Sequence, residues 1–517
     1  MHGPEKTKGE SGVQRALGTI GEQPSDGAAT IRVEHEFVEE IGVLRRSEFS
    51  TCDGLSCQGH ARLADFLVPG DHGRHGTAVV IRGFVPVSLG EWTSMSESPL
   101  LADLDARGLV HDSTDRSALG ERLSAGPIGV YVGFDPTADS LHAGNLLGQV
   151  MLRRFQLAGH RPVVLAGGAT GMVGDPGGRS EERNLLDRET LRHNVAQVKK
   201  QLEKILDFDG PHAARLVDNA DWTAPMSALD FLRDVGKHFT VNQMVAKESV
   251  RARMESEHGI SYTEFSYMLL QANDFRHLCE HEDVEMQMGG SDQWGNITAG
   301  IELVRKRLQK SAFGLTWPLL TRSDGAKMGK SVHGALWLDP DKTSPYQFRQ
   351  YWIQLPDEDV ERFLLQLTLR SVDEVASIVA EHRADPGKRV AQRALATDVT
   401  ALVHGADAER AAAEAADVLF GADPTTASID ALVAVAREVP SSSATRASLS
   451  DVISSLVSCG LASSNSDARR TLGQKGFRVN GVVIDEAFDL GAADPLHGRF
   501  LLIRRGKTQH HLVVLEG

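Results

Sequence analysis

YVGFDPTADSLHAGN, residues 131–145, runs from an apolar strand (PIGVYVG) through a Pro/Asp/Ser turn into an apolar helix that opens at His142. A strand that feeds a helix N-terminus makes an anion site, because the first backbone N–H groups are unsatisfied and the helix dipole favours negative charge. Nearly two hundred residues later comes KMGKS, Lys327 to Ser331, which sets two ammonium groups and a hydroxyl on a Gly-containing loop. Either motif alone is weak: a K-x-x-K-S pentamer fits a solvated loop, and His-Ala-Gly-Asn fits ordinary capping. Together, in this order and context, they point to ATP chemistry in which pyrophosphate leaves.

The surrounding pattern gives the fold class. RPVVLAGG follows as a second strand, then a Gly-rich turn and a helix over about 188–206. Short apolar strands alternating with amphipathic helices predict an α/β parallel sheet, which binds ligands beyond the carboxyl ends of its strands. Tyr131, Gly133, Asp135, His142 and Gly144 fall there, as does Asp175 after the second strand. A helix near Thr263–Cys279 places Tyr267, Gln271 and Asp274 on one face. VEMQMGG reads as a further strand, with Ser291 expected to cap a helix Asp292–Leu308. Residues 355–420 read as helical, and the tail as two short helices and then strands, with turns at Gly476, Gly481 and Gly506.

Length and charge set bounds. A chain of 517 residues suffices for two to four domains. No run of about 18 apolar residues and no apolar leader occur, so no membrane partner is expected. Four scattered cysteines (Cys52, Cys57, Cys279, Cys459) suit a reducing cytoplasm better than a disulfide framework. Net charge −15 argues against a general polyanion or DNA binder. Residues 448–517 carry 8 Lys/Arg against 7 Asp/Glu, the remainder 47 against 63, so RNA contact would rest on placed patches. Residues 1–95 read as a low-complexity extension, disordered or non-native, with strand-like Thr77–Phe84 and with Met95 as an alternative start. Within it Cys52, Cys57, His60, His72 and His75 are zinc-ligating types without a convincing pattern, and no metal site is assigned.

From about Leu101 onward the chain resembles the bacterial tyrosyl-tRNA synthetases, a class I aminoacyl-tRNA synthetase family. The resemblance rests on the two signatures together with GGATGMVGDPGGRSEER, FLRDVGKHFTVNQM, YTEFSYMLLQANDF and QMGGSDQWGNITAG. It implies a Rossmann-like parallel-sheet catalytic domain (96–320) and the loop with an α-helical anticodon-binding domain (321–420). A linker (421–447) and a small α+β alpha-L RNA-binding domain (448–517) would follow. It also implies tyrosine–tRNA ligase activity on L-tyrosine, ATP with Mg2+ and tRNA(Tyr), in a cytoplasmic homodimer with no tightly bound cofactor.

The substrate's carboxylate is already a nucleophile, so activation needs alignment and charge stabilisation more than a base. By resemblance Lys327, Lys330 and Ser331 would meet the β- and γ-phosphates, with Thr137 and His142 opposite. Gly144 and Gly133 would admit the nucleotide closely, beside Asp135; Gly290 and Asp292 would hold the ribose. Tyr131 and Asp274 would bracket the phenolic hydroxyl. Asp175, Tyr267 and Gln271 would bind the α-amino group, Gln287 would line the pocket, and Gln293 would face the carboxyl group. This enzyme class is itself the usual illustration of how a site built for a hydroxyl rejects the analogue lacking it by about 10⁵; the figure belongs to the class. Two departures stand out: Asn145 occupies a place usually held by histidine, and Gly329 one where serine is commoner. Arg179 and Arg183, and in the tail Arg469, Arg470 and Lys475, are the candidate tRNA contacts, with Arg478, Arg504, Arg505 and Lys507 nearby. The alternatives are a tryptophanyl-tRNA synthetase and a non-enzymatic RNA-binding protein on the same scaffold.

Overall fold

The computed structural model describes residues 98–516, except 177–185, 256–258, 324, 326–327, 329 and 332–333, and two strands before them; of those strands and of residues 248, 249, 330 and 331 it describes the backbone alone. The two early strands, β1 (Leu63–Val68) and β2 (Val79–Phe84), pair antiparallel within a unit of their own, Met1–Thr93. β2 falls on the strand expected from 77–84; the zinc-type residues before it lie outside the described residues.

The unit from Ser94 onward is built on a six-stranded sheet. In chain order its strands are β3 (Asp112–Ser113), β4 (Gly129–Phe134), β5 (Arg161–Ala166), β6 (Arg215–Asp218), β7 (Val284–Gly290) and β8 (Phe313–Trp317). They lie in the order β3-β8-β7-β4-β5-β6, parallel except for β3. β5 and β6 therefore lie on one side of β4, and β7 and β8 on the other. The chain reverses its direction of travel across the sheet there, which opens a crevice beyond the carboxyl ends of β4 and β7.

Alternation along β4 decides what faces that crevice. Val130, Val132 and Phe134 enter one core with the helix Ala143–Leu157, Met286 and Met288. Tyr131 points the other way, into a second cluster with Val163, Leu165, Phe275 and Val284. Gln287 stands directly opposite Tyr131 in register and shares its face. The helix Tyr262–His281 packs over that face against the helix Trp294–Leu308. Ser291 does not cap the latter helix; it opens a short 3₁₀ turn, Ser291–Gln293, and the α-helix begins at Trp294 without a side-chain cap.

Beyond the sheet, the loop forms a small hairpin of β9 (Lys330–Ser331) and β10 (Gly334–Ala335). Helices from Pro345 to Leu419 follow, and the first of them share the apolar core of the sheet through Phe348, Trp352, Phe363 and Leu364. The stretch expected as a linker around a short helix holds that helix, Ile429–Glu438, and also a strand that was not expected, β11 (Ser441–Ala444). β11 joins the tail's sheet with β12 (Phe477–Val479), β13 (Val482–Val483), β14 (Phe500–Arg505) and β15 (Gln509–Leu515). Serine-rich SSSA carries no apolar alternation to mark it as a strand, which is why it reads as linker.

Candidate active site

His142 is the last extended residue before its helix and caps it. Its Nδ1 accepts from the Gly144 N–H (3.0 Å), and its own N–H donates to Asn145 Oδ1 (3.1 Å). A ring whose Nδ1 accepts carries its proton on Nε2, so His142 is set as a donor. Asn145, with its oxygen committed to the cap, has its amide nitrogen to offer a ligand.

The second signature lies against the first. Met328 is buried, its N–H donates to the Leu320 carbonyl (2.9 Å), and its sulfur accepts from the Tyr351 hydroxyl (2.8 Å). Downstream, Ala143 donates to the Leu336 carbonyl (2.8 Å) and Leu338 to that of Leu141 (2.9 Å), so the loop's stem is stitched to the start of the signature helix. A Cβ on Gly144 would sit 2.8 Å from His142 Cε1 and 3.4 Å from the Met328 carbonyl oxygen. A side chain there would therefore have to displace the protein's own His142 ring. Lys327 and the side chains of Lys330 and Ser331 lie outside the described residues.

A cleft of about 320 Å³ gathers the rest: Thr137, His142, Gly144 and Asn145 line it with Gly133, Asp135, Gly290, Asp292, Tyr131, Asp274 and Gln287. Asp175, Tyr267, Gln271 and Gln293 line it too. Tyr131 is 1% exposed, and its hydroxyl finds no hydrogen-bond partner among the described residues. Burial, reinforced by Asp274, holds its proton well above the usual phenol range. Asp274 is 2% exposed, and burial raises its carboxyl to about 7, against the pull of two donors. Those donors are Asn219 Nδ2 (2.9 Å) and Trp222 Nε1 (2.8 Å).

Two hydrogen-bonded groups of polar side chains line the cleft. Tyr267 donates to Asp135 Oδ2 and Thr170 to Asp135 Oδ1, both at 2.8 Å. Gln293 Nε2 donates to Asp175 (2.6 Å), while its oxygen accepts from Gln271 (3.2 Å) and Asn296 (3.2 Å). Asp135, expected beside the nucleotide, is thus tied to Tyr267 and Thr170. Thr170, Asn219, Trp222 and Asn296 escaped sequence reading. The one available signal for Asn219 and Trp222 was their place just after the short apolar run Leu216–Val217, a strand end like the others.

The family model of class I tRNA synthetases (W and Y) matches residues 123–421, more than half the chain, and the C-terminal domain model of the tyrosine–tRNA ligases matches 431–513. The chain belongs to the class I tRNA synthetases of this type. Among curated relatives, the tyrosine–tRNA ligase of Opitutus terrae is 52% identical over 421 residues, 80% of this chain and 99% of that protein. That of Rhodopirellula baltica is 47% identical over 437 residues, covering 84% and 100%. The crystal structure of a C-terminally truncated Aspergillus nidulans mitochondrial tyrosyl-tRNA synthetase superposes with a TM-score of 0.57 at 33% identity, covering 62% of this chain and 94% of that one.

In the synthetase's tail, the basic residues divide. Arg505 turns inward: its guanidinium donates to both oxygens of Asp467 (2.9 and 3.0 Å), which holds that carboxyl far below the usual range. Arg470 also meets Asp467 (2.7 Å), and Arg469 meets Glu486 (3.1 Å). Lys475 is exposed on a left-handed turn. Arg179 and Arg183 lie outside the described residues.

Proposed function

We propose that the synthetase activates L-tyrosine with ATP and passes it to the terminal ribose of tRNA(Tyr). The observation that carries this reading is the pair at the cleft's deep end. Tyr131 presents a buried hydroxyl that needs a partner, and Asp274 presents an acceptor already fixed by Asn219 and Trp222. A phenol both accepts from a tyrosine hydroxyl and donates to a carboxylate. An indole N–H only donates, so the tryptophan alternative leaves Tyr131 unsatisfied, at the cost of a buried polar group.

In the first step the amino acid's carboxylate attacks the α-phosphorus, forming the acyl-phosphate bond as pyrophosphate leaves. Charge grows on the leaving group, where His142, Thr137, the Asn145 amide and the lysines Lys327 and Lys330 would stabilise it, with Ser331 donating. Gly290 and Asp292 would hold the ribose, while the Asp175–Gln293–Gln271 chain with Tyr267 orients the amino acid. In the second step a ribose hydroxyl attacks the carbonyl carbon and AMP leaves. Among the described residues no group of three or more His, Cys, Asp or Glu is arranged to hold a metal ion. Magnesium would enter bound to the triphosphate, as hard cations commonly do.

A homodimer is part of the proposal: Leu229 (79% exposed) and Val241 (63%) stand on neighbouring surface helices where a partner would cover them. Among the described residues no helix is long and apolar enough to cross a membrane. A cytoplasmic location, where tRNA and ATP are at hand, completes the reading.

The test is ATP–pyrophosphate exchange across all twenty amino acids with the folded, magnesium-supplied protein. Exchange with tyrosine is expected; its absence overturns the proposal, and exchange with tryptophan favours the alternative.

A further inference from the structure

We propose that His277 is a positioning residue for recognition of the substrate's phenol, acting through Trp222. The inference rests on the tyrosine reading above and adds a residue that neither signature contains. Trp222 sits in a single helical turn, Ala220–Thr223, that has no buried residue of its own. Yet its indole N–H is one of two donors that fix Asp274. The other donor needs no help: Asn219 is fully buried, and its oxygen is held by the Ala169 N–H (2.7 Å). The indole must be steadied from outside its turn.

His277 does this. Its ring stacks on the Trp222 indole with centroids 4.3 Å apart and planes 14° from parallel. Asp274 and His277 are three residues apart on the helix Tyr262–His281, so one turn of helix grips the indole at its edge and on its face. His281, four residues on, has its ring centroid 4.5 Å from that of His277. Burial, with His281 and Arg276 nearby, lowers the imidazole to about 4, so the stacked ring is neutral under ordinary conditions.

The consequence is read at Asp274. That carboxyl is faced by Tyr131 from β4, by Asp135 from the turn after it and by Arg276 from its own helix; His277 is faced by His281, Arg276 and Glu280. A loosened indole removes a hydrogen bond that favours the charged carboxylate, so the acid limb of tyrosine capture moves to higher pH.

The experiment is tyrosine- and ATP-dependence of pyrophosphate exchange across pH for wild type, His277→Ala, His277→Phe and Trp222→Phe. In His277→Ala, KM for tyrosine should rise about three- to tenfold with kcat within about twofold, the acid limb should move upward, and KM for ATP should hold. His277→Phe keeps a flat ring and should restore both readouts. On a Trp222→Phe background, His277→Ala should add nothing. Unchanged tyrosine KM and limb in His277→Ala, failure of phenylalanine to restore them, or full additivity with Trp222→Phe would each overturn the assignment. Equal losses for tyrosine and ATP with a lower Tm would reduce His277 to a structural residue. Wild-type exchange with tyrosine separately tests the reading underneath.

Discussion

Asp274 is the residue on which substrate choice and pH response meet. In the free protein burial lifts its carboxyl to about 7, while the ionised form is the better acceptor for a phenol. Tyrosine capture should therefore weaken as pH falls through 7, giving kcat/KM an acid limb there. Asp274→Asn should abolish the limb and cut discrimination against phenylalanine by about 10- to 100-fold, measured by exchange. The effect on folding has the opposite sense. The unfolded carboxyl loses its proton in the ordinary range and the native one only near 7, so its contribution to stability declines as pH rises between them. Gly144→Ala is the companion test at the phosphate end. Its methyl group would meet the His142 ring, and kcat/KM for ATP should drop about tenfold or more while tyrosine affinity holds. Most of these residues were legible because strand–turn–helix chemistry fixes where His142, Gly144 and Tyr131 must lie. Asn219 and Trp222 were not, because their role exists only once β6 has been laid beside β5 in the sheet.

At the scale of elements, the signature helix Ala143–Leu157 has two working ends. Its start is the anion site. Near its finish Arg154 donates to the carbonyls of Leu365 (3.1 Å) and Thr368, at the C-terminal end of the helix Asp357–Leu367. Arg107 reaches the same end, donating to Leu365 (3.1 Å) and Arg370 (2.8 Å). Both arginines are nearly inaccessible, and Asp103 is their shared carboxylate. The cluster satisfies last-turn carbonyls and places positive charge at the negative end of a helix dipole. Arg154→Met strands the Thr368 carbonyl, while Leu365 keeps Arg107 as a donor, and should destabilise the protein by about 1–3 kcal/mol in denaturant melts. In the sequence, Arg153 and Arg154 look alike, as solvated charges on an amphipathic helix. Nothing local tells which of them turns inward, because the partners lie more than two hundred residues ahead. Helix existence was readable from periodicity; the joint between helices was not.

Over the whole molecule, the residues proposed for activation and those proposed for holding tRNA fall on different surfaces. The cleft belongs to the sheet, whereas the exposed cations of the tail lie on a separate small core built around Leu456, Phe477 and Ile503. Raising salt from about 50 to 200 mM should therefore depress charging steeply and leave exchange nearly constant. Ending the chain after residue 447 should likewise preserve exchange within about twofold and abolish charging; it should also bare the apolar face of Leu432 and Val435, which packs on Phe500 and Leu512, visible as dye binding. The boundary before the tail was the least legible part of the fold, since β11 is a strand only by virtue of its neighbour. That neighbour is β15, with Ser441 opposite Leu512 in a parallel pair. During synthesis β11 must wait, unpartnered, until nearly all of the tail has been made. The tail is thus sewn to the helices by its last stitch, and amide protons in β11 should exchange freely in any chain that stops before Gln509.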